Sequence, residues 1–139
     1  MYSHVTIGTD DIEQGREFYD AVLGTIGLVR RWNFPSSSGY AAKGQARPQF
    51  WIMKPFDEDL TRPGNGIMPG FLAPDRAAVD AFWRAALAKG GLDEGPPGRR
   101  PHYHVHYYGC YVRDPLGNKL CACCHEPYPG DDEVSASSR

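Results

Sequence analysis

The chain has 139 residues, 41% of them hydrophobic and 12% aromatic, so it is predicted to fold as one domain around a single core. Fifteen Lys and Arg against seventeen Asp and Glu give a net charge of −2, which argues against a nucleic-acid or anionic-membrane partner. No stretch approaches the roughly 18 apolar residues of a membrane helix, and the acidic first twenty residues are unlike a secretory signal.

The first half of the chain predicts a strand, a helix and three further strands. β-Branched residues within 3–7 predict the first strand, and Asp10 or Asp11 is expected to cap the helix that carries Phe18. Gly24 and Gly27 end that helix. Three extended segments follow, at residues 28–34, 39–43 and 48–53.

The second half repeats this order. Residues 18–28 match residues 82–92 at an offset of 64 in their aromatic pair, leucine and final Gly-Leu. The matching helix ends at Gly90 and Gly91. Extended segments are predicted at 66–72, 103–108, 109–113 and 119–124, with a turn at 114–118. The sequence therefore predicts an α+β fold of two βαβββ modules, about 1–56 and 65–126, then a polar tail, 127–139, that is expected to fray.

The four cysteines, Cys110, Cys121, Cys123 and Cys124, all lie in the last third of the chain. Adjacent cysteines at the end of a strand do not suit a disulfide framework, so we expect free thiols in a reducing cytoplasm. On a strand, Cys121 and Cys123 face one way and Cys124 the other. We interpret them as small buried residues filling the sheet; a structural zinc site and a reactive thiol at Cys121 are the alternatives.

Residues 101–109 hold the densest group of polar and aromatic side chains. In a strand, His102, His104 and His106 would share one face, and Tyr107 would lie on the other. Imidazoles transfer protons or bind metals near neutral pH, so His102 and His104 are candidate catalytic residues, with Tyr107 as a hydrogen-bond donor to substrate. A solvated face of an edge strand is the alternative.

Several aromatic residues are candidates for a substrate pocket, because aromatic walls suit a flat ligand. They are Trp32, Phe50, Trp51 and Tyr108. A sheet packed under a helix requires the same residue types, which is the alternative interpretation.

Short motifs occur in a characteristic order along residues 1–126: 4–7, 11–19, Leu23-Gly24, 64–66, 107–109 and 112–119. In this order they resemble the vicinal oxygen chelate superfamily, which includes glyoxalase I, bleomycin-resistance proteins and extradiol dioxygenases. The resemblance implies that the modules pair into one curved mixed sheet around a cleft, with the helices outside. It also implies a homodimer.

The resemblance further implies a divalent metal in the cleft, held at positions that match His4, Met68 and Cys121. The family pattern has His at the first two positions and Glu at the third, so this sequence departs at two of three. Soft sulfur ligands favour Zn or Cu(I) over the ions of glyoxalase or dioxygenase chemistry. Met68 is also a candidate residue of the cleft wall.

Two functions follow from the resemblance. The first is a glyoxalase- or dioxygenase-like enzyme that acts on a small oxygenated molecule by metal-assisted lyase or isomerase chemistry, with His4 as ligand or general base. The second is a metal-free protein of the bleomycin-resistance kind, which binds a small molecule without catalysis.

Overall fold

The computed structural model describes residues 1–132. Its elements in chain order are β1 (Val5–Gly8), α1 (Ile12–Gly24), β2 (Leu28–Phe34), β3 (Ser37–Ala42), β4 (Phe50–Met53), β5 (Gly70–Leu72), α2 (Arg76–Ala88), β6 (Leu92–Arg99), β7 (Tyr108–Arg113) and β8 (Lys119–Cys124). The strands form two four-stranded sheets, in the orders β1-β4-β3-β2 and β5-β8-β7-β6. The α+β fold of two βαβββ modules is confirmed; hydrogen bonds between strands run within two open sheets rather than through one.

Each sheet is mixed. β1 pairs with β4 and β5 pairs with β8 in parallel, whereas the hairpin-like neighbours β2–β3, β3–β4, β6–β7 and β7–β8 are antiparallel. A parallel pair needs a long crossover, and in each module the helix and the next two strands supply it. β1 and β5 consequently lie at a free edge of their sheets.

The helices begin and end on local signals that the sequence carries. Asp11 caps α1 through its carboxylate, which accepts from the backbone N–H groups two and three residues on, and the Asp75 carboxylate caps α2 by accepting from the Ala78 N–H. At the end of α2, Gly90 has φ +91°, and the N–H of Gly91 donates to the Ala86 carbonyl at 2.8 Å. Glycine takes this left-handed conformation without a steric penalty.

The 64-residue repeat extends to one strand, β6, that the sequence prediction did not include. α1 and α2 begin at residues 12 and 76, and β2 and β6 begin at 28 and 92, so each pair is 64 residues apart. The prediction of a strand at 103–108 is wrong. β6 was missed because Pro96 and Pro97, with two glycines, give residues 92–99 the composition of a loop.

The histidine-rich segment is a loop. Its turns are closed by hydrogen bonds from Tyr103 N to Arg100 O at 2.9 Å and from Tyr107 N to His104 O at 3.1 Å. The prediction that His102, His104 and His106 share one strand face is therefore wrong. The two strands β2 and β3 are joined by two residues, but β6 and β7 are joined by eight, residues 100–107. The second module thus carries extra chain at this connection.

The core lies between the two sheets and the two helices. Its largest fully buried side chains are Tyr19, Tyr40, Phe18, Phe50 and Phe82. The modules contact one another through the rings of Phe50 and Phe71, whose centroids are 5.1 Å apart. A buried hydrogen bond of 2.6 Å from the Tyr19 hydroxyl to Asp114 also joins them.

The predicted polar tail is anchored where the structure describes it. Asp131 is 3% exposed, and its carboxylate accepts from Arg76 at 2.7 Å and shares a 2.8 Å hydrogen bond with His106. The Arg99 side chain donates to the Asp131 carbonyl at 2.9 Å. Residues 133–139 of the predicted tail lie outside the described residues. Within residues 1–132, neither helix has the length and apolar character of a membrane span.

Candidate functional site

The face of the second sheet that points away from α2 carries the densest polar chemistry; we call it the open face. Along β7 and β8, the residues that turn toward the helix are Cys110, Val112, Leu120, Ala122 and Cys124, and all are buried in the core. Because side chains alternate along a strand, Tyr111, Cys121 and Cys123 lie on the open face. The 100–107 loop folds over them.

Tyr107 is the loop residue that closes onto the sheet. Its hydroxyl shares a 3.0 Å hydrogen bond with the Tyr111 hydroxyl and a 3.5 Å contact with Cys121 Sγ. Gly109 makes room for the ring, since a Cβ there would lie 2.8 Å from Tyr107 Cε1 and 3.3 Å from Cys123 Cβ. The phenol is therefore held in place by neighbours from both strands.

Two imidazoles lie beside this phenol and connect to a thiol. His104 Nε2 and His125 Nδ1 share a 2.7 Å hydrogen bond, and the other ring nitrogen of His125 lies 3.6 Å from Cys123 Sγ. The Tyr107 ring meets both imidazoles edge-on, at centroid distances of 5.7 Å to His104 and 5.5 Å to His125. The result is a continuous chain of groups that can exchange protons.

The local electrostatics keep the Tyr107 hydroxyl protonated and favour the thiolate form of Cys123. Burial, together with hydrogen bonds to Tyr111 and Cys121, raises the pKa of Tyr107, so its hydroxyl keeps its proton at neutral pH. A hydrogen bond from Cys121 and the nearby His125 lower the pKa of Cys123 to about 6, against the opposing effect of burial. The same hydrogen bond, and then burial, raise the pKa of Cys121.

Two cationic side chains lie next to the ring of Tyr111. The Arg100 guanidinium carbon lies 5.6 Å from the centroid of the Tyr111 ring, and Lys119 Nζ lies 5.9 Å from it. These cations can attract the carboxylate or other anionic oxygen of a small ligand. The open face thus offers hydrogen-bond donors, proton-transfer groups and cations within one small area.

The structure brings together two of the four residues predicted to be catalytic. His104 and Tyr107 meet on the open face, and the His102 ring lies next to them, tilted against Tyr103 at a centroid distance of 4.3 Å. His4 lies just before β1 in the other sheet, is exposed, and shares a 2.8 Å hydrogen bond with Ser3.

Sequence reasoning missed Tyr111, Cys123 and His125 as site residues. A signal for two of them was present, because Cys121, Cys123 and His125 follow one another at alternate positions and so extend one face of a strand. Their link to His104 had no such signal, since it joins residues 21 positions apart.

The predicted substrate-binding residues are spread over the molecule. Phe50 and Met68 line a mainly apolar cavity of about 570 Å³ between the modules. Trp51 stacks on Phe34 at 6.3 Å, and the Arg31 guanidinium lies 4.9 Å from the Trp32 ring. Tyr108 faces α2 and donates a 2.6 Å hydrogen bond to Asp80.

The predicted metal ligands do not make a suitable set of donors for a hard divalent ion. His4 and Met68 are exposed, whereas Cys121 is buried under the Tyr107 hydroxyl. An imidazole, a thioether and a thiol lack the oxygen ligands that such ions prefer. In the part of the chain that the structure describes, no three His, Cys, Asp or Glu side chains are grouped to hold a metal. We therefore derive no step through a metal.

Comparison with known proteins agrees with the fold. The family profile described as Glyoxalase/Bleomycin resistance protein/Dioxygenase superfamily matches residues 2–122. A solved glyoxalase/bleomycin resistance protein from Albidiferax ferrireducens T118 is 38% identical, with a TM-score of 0.80 over 91% of this chain and 99% of that one. No curated protein matches the chain.

Two more distant solved structures show the fold alone. A glyoxalase/bleomycin resistance protein/dioxygenase family enzyme from Burkholderia phytofirmans PsJN is 20% identical, with a TM-score of 0.68 over 89% of this chain and 98% of that one. A lactoylglutathione lyase from Agrobacterium tumefaciens is 21% identical, with a TM-score of 0.59 and coverage of 88% and 92%. The profile match and the 38% identical structure establish that this chain belongs to the glyoxalase/bleomycin resistance protein/dioxygenase superfamily.

Proposed function

We propose that this protein binds a small oxygenated molecule on the open face and moves a proton next to its carbonyl group, as a lyase or isomerase does. One observation carries the proposal: the Tyr107 ring lies edge-on to the hydrogen-bonded imidazoles of His104 and His125, which lead to the Cys123 thiol. An acid and a base that flank one small site are the minimum for removing a proton adjacent to a carbonyl.

Each group has a definite role in this chemistry. Tyr107 keeps its proton and donates a hydrogen bond to the carbonyl oxygen, where negative charge develops as the neighbouring C–H proton leaves. The Cys123 thiolate accepts that proton, and His125, which His104 orients through the 2.7 Å hydrogen bond, donates its Nε2–H to the thiolate. Arg100 and Lys119, beside Tyr111, bind an anionic group of the same ligand.

A second candidate function is binding without catalysis, and the cavity between the modules favours it. That cavity of about 570 Å³ is lined by Phe50, Phe71, Met68 and other mainly apolar residues, and such a lining suits the uptake of a small apolar molecule. In this form the protein would sequester a ligand, as the bleomycin-resistance resemblance implies.

The test measures proton exchange directly. Hydroxyacetone and pyruvate in D₂O are followed by proton NMR, and we expect the wild-type protein to accelerate exchange of the hydrogens next to the carbonyl. Tyr107→Phe removes the donor and should lower the rate at least about tenfold. Tyr128→Phe is the matched control, because that exposed ring lies against Arg76, away from the open face.

Three outcomes separate the candidates. Exchange that depends on Tyr107 supports the enzyme, and probe binding without exchange supports the binding protein. Stoichiometric metal found by elemental analysis and lost in His4→Ala would overturn the metal-free mechanism in favour of the metal-assisted one that the family resemblance implies.

We also infer a homodimer and a cytoplasmic location. Large apolar side chains exposed near the β1 and β5 edges, among them Tyr2, Ile67, Met68 and Leu72, support a second copy as partner. All four cysteines carry free thiols, which suits a reducing compartment. Subcellular fractionation would test the location.

A further inference from the structure

We propose that Cys123 is a nucleophilic thiol that forms a thioether with conjugated carbonyl compounds, with His125 donating a hydrogen bond that stabilises its thiolate. The inference rests on the proposed function, because it assigns a nucleophile to the same open face. It adds a covalent step that neither the family resemblance nor the proton-transfer proposal uses.

The first argument is the arrangement of a nucleophile, a hydrogen-bond donor and an orienting group. The His106 N–H donates to His104 Nδ1, so His104 Nε2 donates the 2.7 Å hydrogen bond to His125 Nδ1. His125 therefore carries its proton on Nε2, which lies 3.6 Å from Cys123 Sγ. In enzymes that use cysteine as a nucleophile, the thiol is activated by an imidazole that a third group holds in place. Here these three side chains are contributed by β8, the segment just after it, and the 100–107 loop.

The second argument comes from the other three thiols of the chain. Cys110 and Cys124 are buried in the core, with exposures of 0% and 1%. Cys121 is 2% exposed and lies against the Tyr107 hydroxyl at 3.5 Å. Cys123 is half-buried, faces away from the core, and is the cysteine that contacts an imidazole. Cys123 is therefore both accessible and next to a hydrogen-bond donor that can stabilise its thiolate.

The third argument selects the electrophile. A thiolate is a soft nucleophile that adds to the carbon end of a C=C bond conjugated to a carbonyl, and negative charge then develops on the carbonyl oxygen. Tyr107 lies between Cys121 and the two imidazoles and can donate to that oxygen. The exposed ring of Tyr103, which packs edge-to-face with Tyr107 at 4.9 Å, offers a face for a planar conjugated group.

The step balances without an oxidant or reductant. The Cys123 thiol gives its proton to solvent, and the resulting thiolate accepts the Nε2–H of His125. The sulfur forms a C–S bond at the β-carbon of the acceptor, and the C=C electron pair moves to give the enolate, which Tyr107 stabilises. Water then supplies one proton to the α-carbon, so that the thiol and the acceptor combine into one thioether.

The experiment uses two probes on the full chain. Iodoacetamide tests nucleophilicity alone, and 2-cyclohexenone tests the conjugated-carbonyl class; intact mass and peptide mapping locate the adduct. We expect one adduct, on Cys123, formed at least about tenfold faster than on free cysteine at pH 7. Cys123→Ser should abolish it, and His125→Asn, at an exposed position, should slow it at least about tenfold.

Cys124→Ser is the matched control, since it removes a thiol from the same strand but from the core face, and the adduct rate should not change. If Cys123 stays unmodified, or if His125→Asn leaves the adduct rate unchanged, Cys123 is not the proposed nucleophile. If Cys123 reacts fast with iodoacetamide but no faster than free cysteine with 2-cyclohexenone, conjugated carbonyl compounds are not its electrophiles. Proton exchange on hydroxyacetone is measured with the wild-type protein, so either proposal can fail while the other stands.

Discussion

At the scale of single residues, the open face depends on the absence of one side chain. Gly109 in β7 pairs with Cys123 in β8, and the Tyr107 ring occupies the space that a Cβ at Gly109 would take. The ring lies against the sheet for this reason, and its hydroxyl reaches both Tyr111 and Cys121. A glycine in the interior of a strand often marks such a close approach.

Gly109→Ala should therefore displace the Tyr107 ring. The new Cβ would lie 2.8 Å from Tyr107 Cε1 and 3.3 Å from the Ala122 carbonyl oxygen, so we expect the free energy of unfolding to fall by about 1–2 kcal/mol. Proton exchange on hydroxyacetone should fall with it. Urea unfolding and proton NMR measure the two effects.

Gly70→Ala is the control for this variant, because Gly70 lies in the same sheet and has open space where its Cβ would be. If both variants lose stability and proton-exchange activity equally, the effect of Gly109→Ala does not come from displacing the Tyr107 ring.

At the scale of elements, the second module differs from the first in its connections. The eight-residue loop between β6 and β7 supplies His104 and Tyr107 to the open face, whereas two residues join the equivalent strands of the first module. Loops placed on a rigid sheet commonly carry function, and this loop is the added part. The C-terminal segment is fastened beside it, since Asp131 binds both Arg76 of α2 and His106 of the loop.

The Asp131 contacts predict a pH dependence. Hydrogen bonds from His106 and Arg76 outweigh burial and lower the pKa of Asp131 to about 2, below its ordinary value of 3.8. A lowered pKa in the folded state stabilises the fold above the ordinary value, and this stability is lost as the pH falls toward 2. Asp131→Asn should cost about 2 kcal/mol near pH 6.

The difference in Tm between the wild-type protein and Asp131→Asn isolates this contribution from other carboxylates. It should be larger at pH 5 than at pH 2 and shrink steadily between pH 4 and pH 2. A difference that stays the same over that range would mean that the Asp131 charge does not anchor the segment.

At the scale of the whole molecule, the two modules hold one another through polar as well as apolar contacts. Tyr19 of α1 donates to Asp114 in the β7–β8 turn, and the Asn118 side chain of that turn donates to the Gly8 carbonyl at 3.2 Å. The edges of the two sheets are less well covered, because β1 and β5 each have one unpaired side. Leu72 on β5 is 70% exposed there.

If the β5 edge joins two copies, Leu72→Asp should weaken the dimer. A charge placed in an apolar contact has to be desolvated, so we expect the dissociation constant to rise at least about tenfold. Sedimentation velocity over a range of protein concentrations measures it. Leu92→Asp is the matched control, since Leu92 is 66% exposed on β6, the opposite edge of the same sheet. A monomeric wild-type protein, or equal effects of both substitutions, would count against this interface.

The sequence by itself determined the repeat, both helices, the strands at 28–34 and 119–124 and the family resemblance, and it narrowed the cap of the first helix to Asp10 or Asp11. These features follow from periodicity, capping and turn residues, which act over a few neighbouring positions. Only the tertiary structure decided that residues 92–99 form a strand, because pairing with β7 overrides their proline and glycine content. It also decided that His104 meets His125 and that Tyr107 covers Cys121, since such contacts depend on the path of a loop across a sheet.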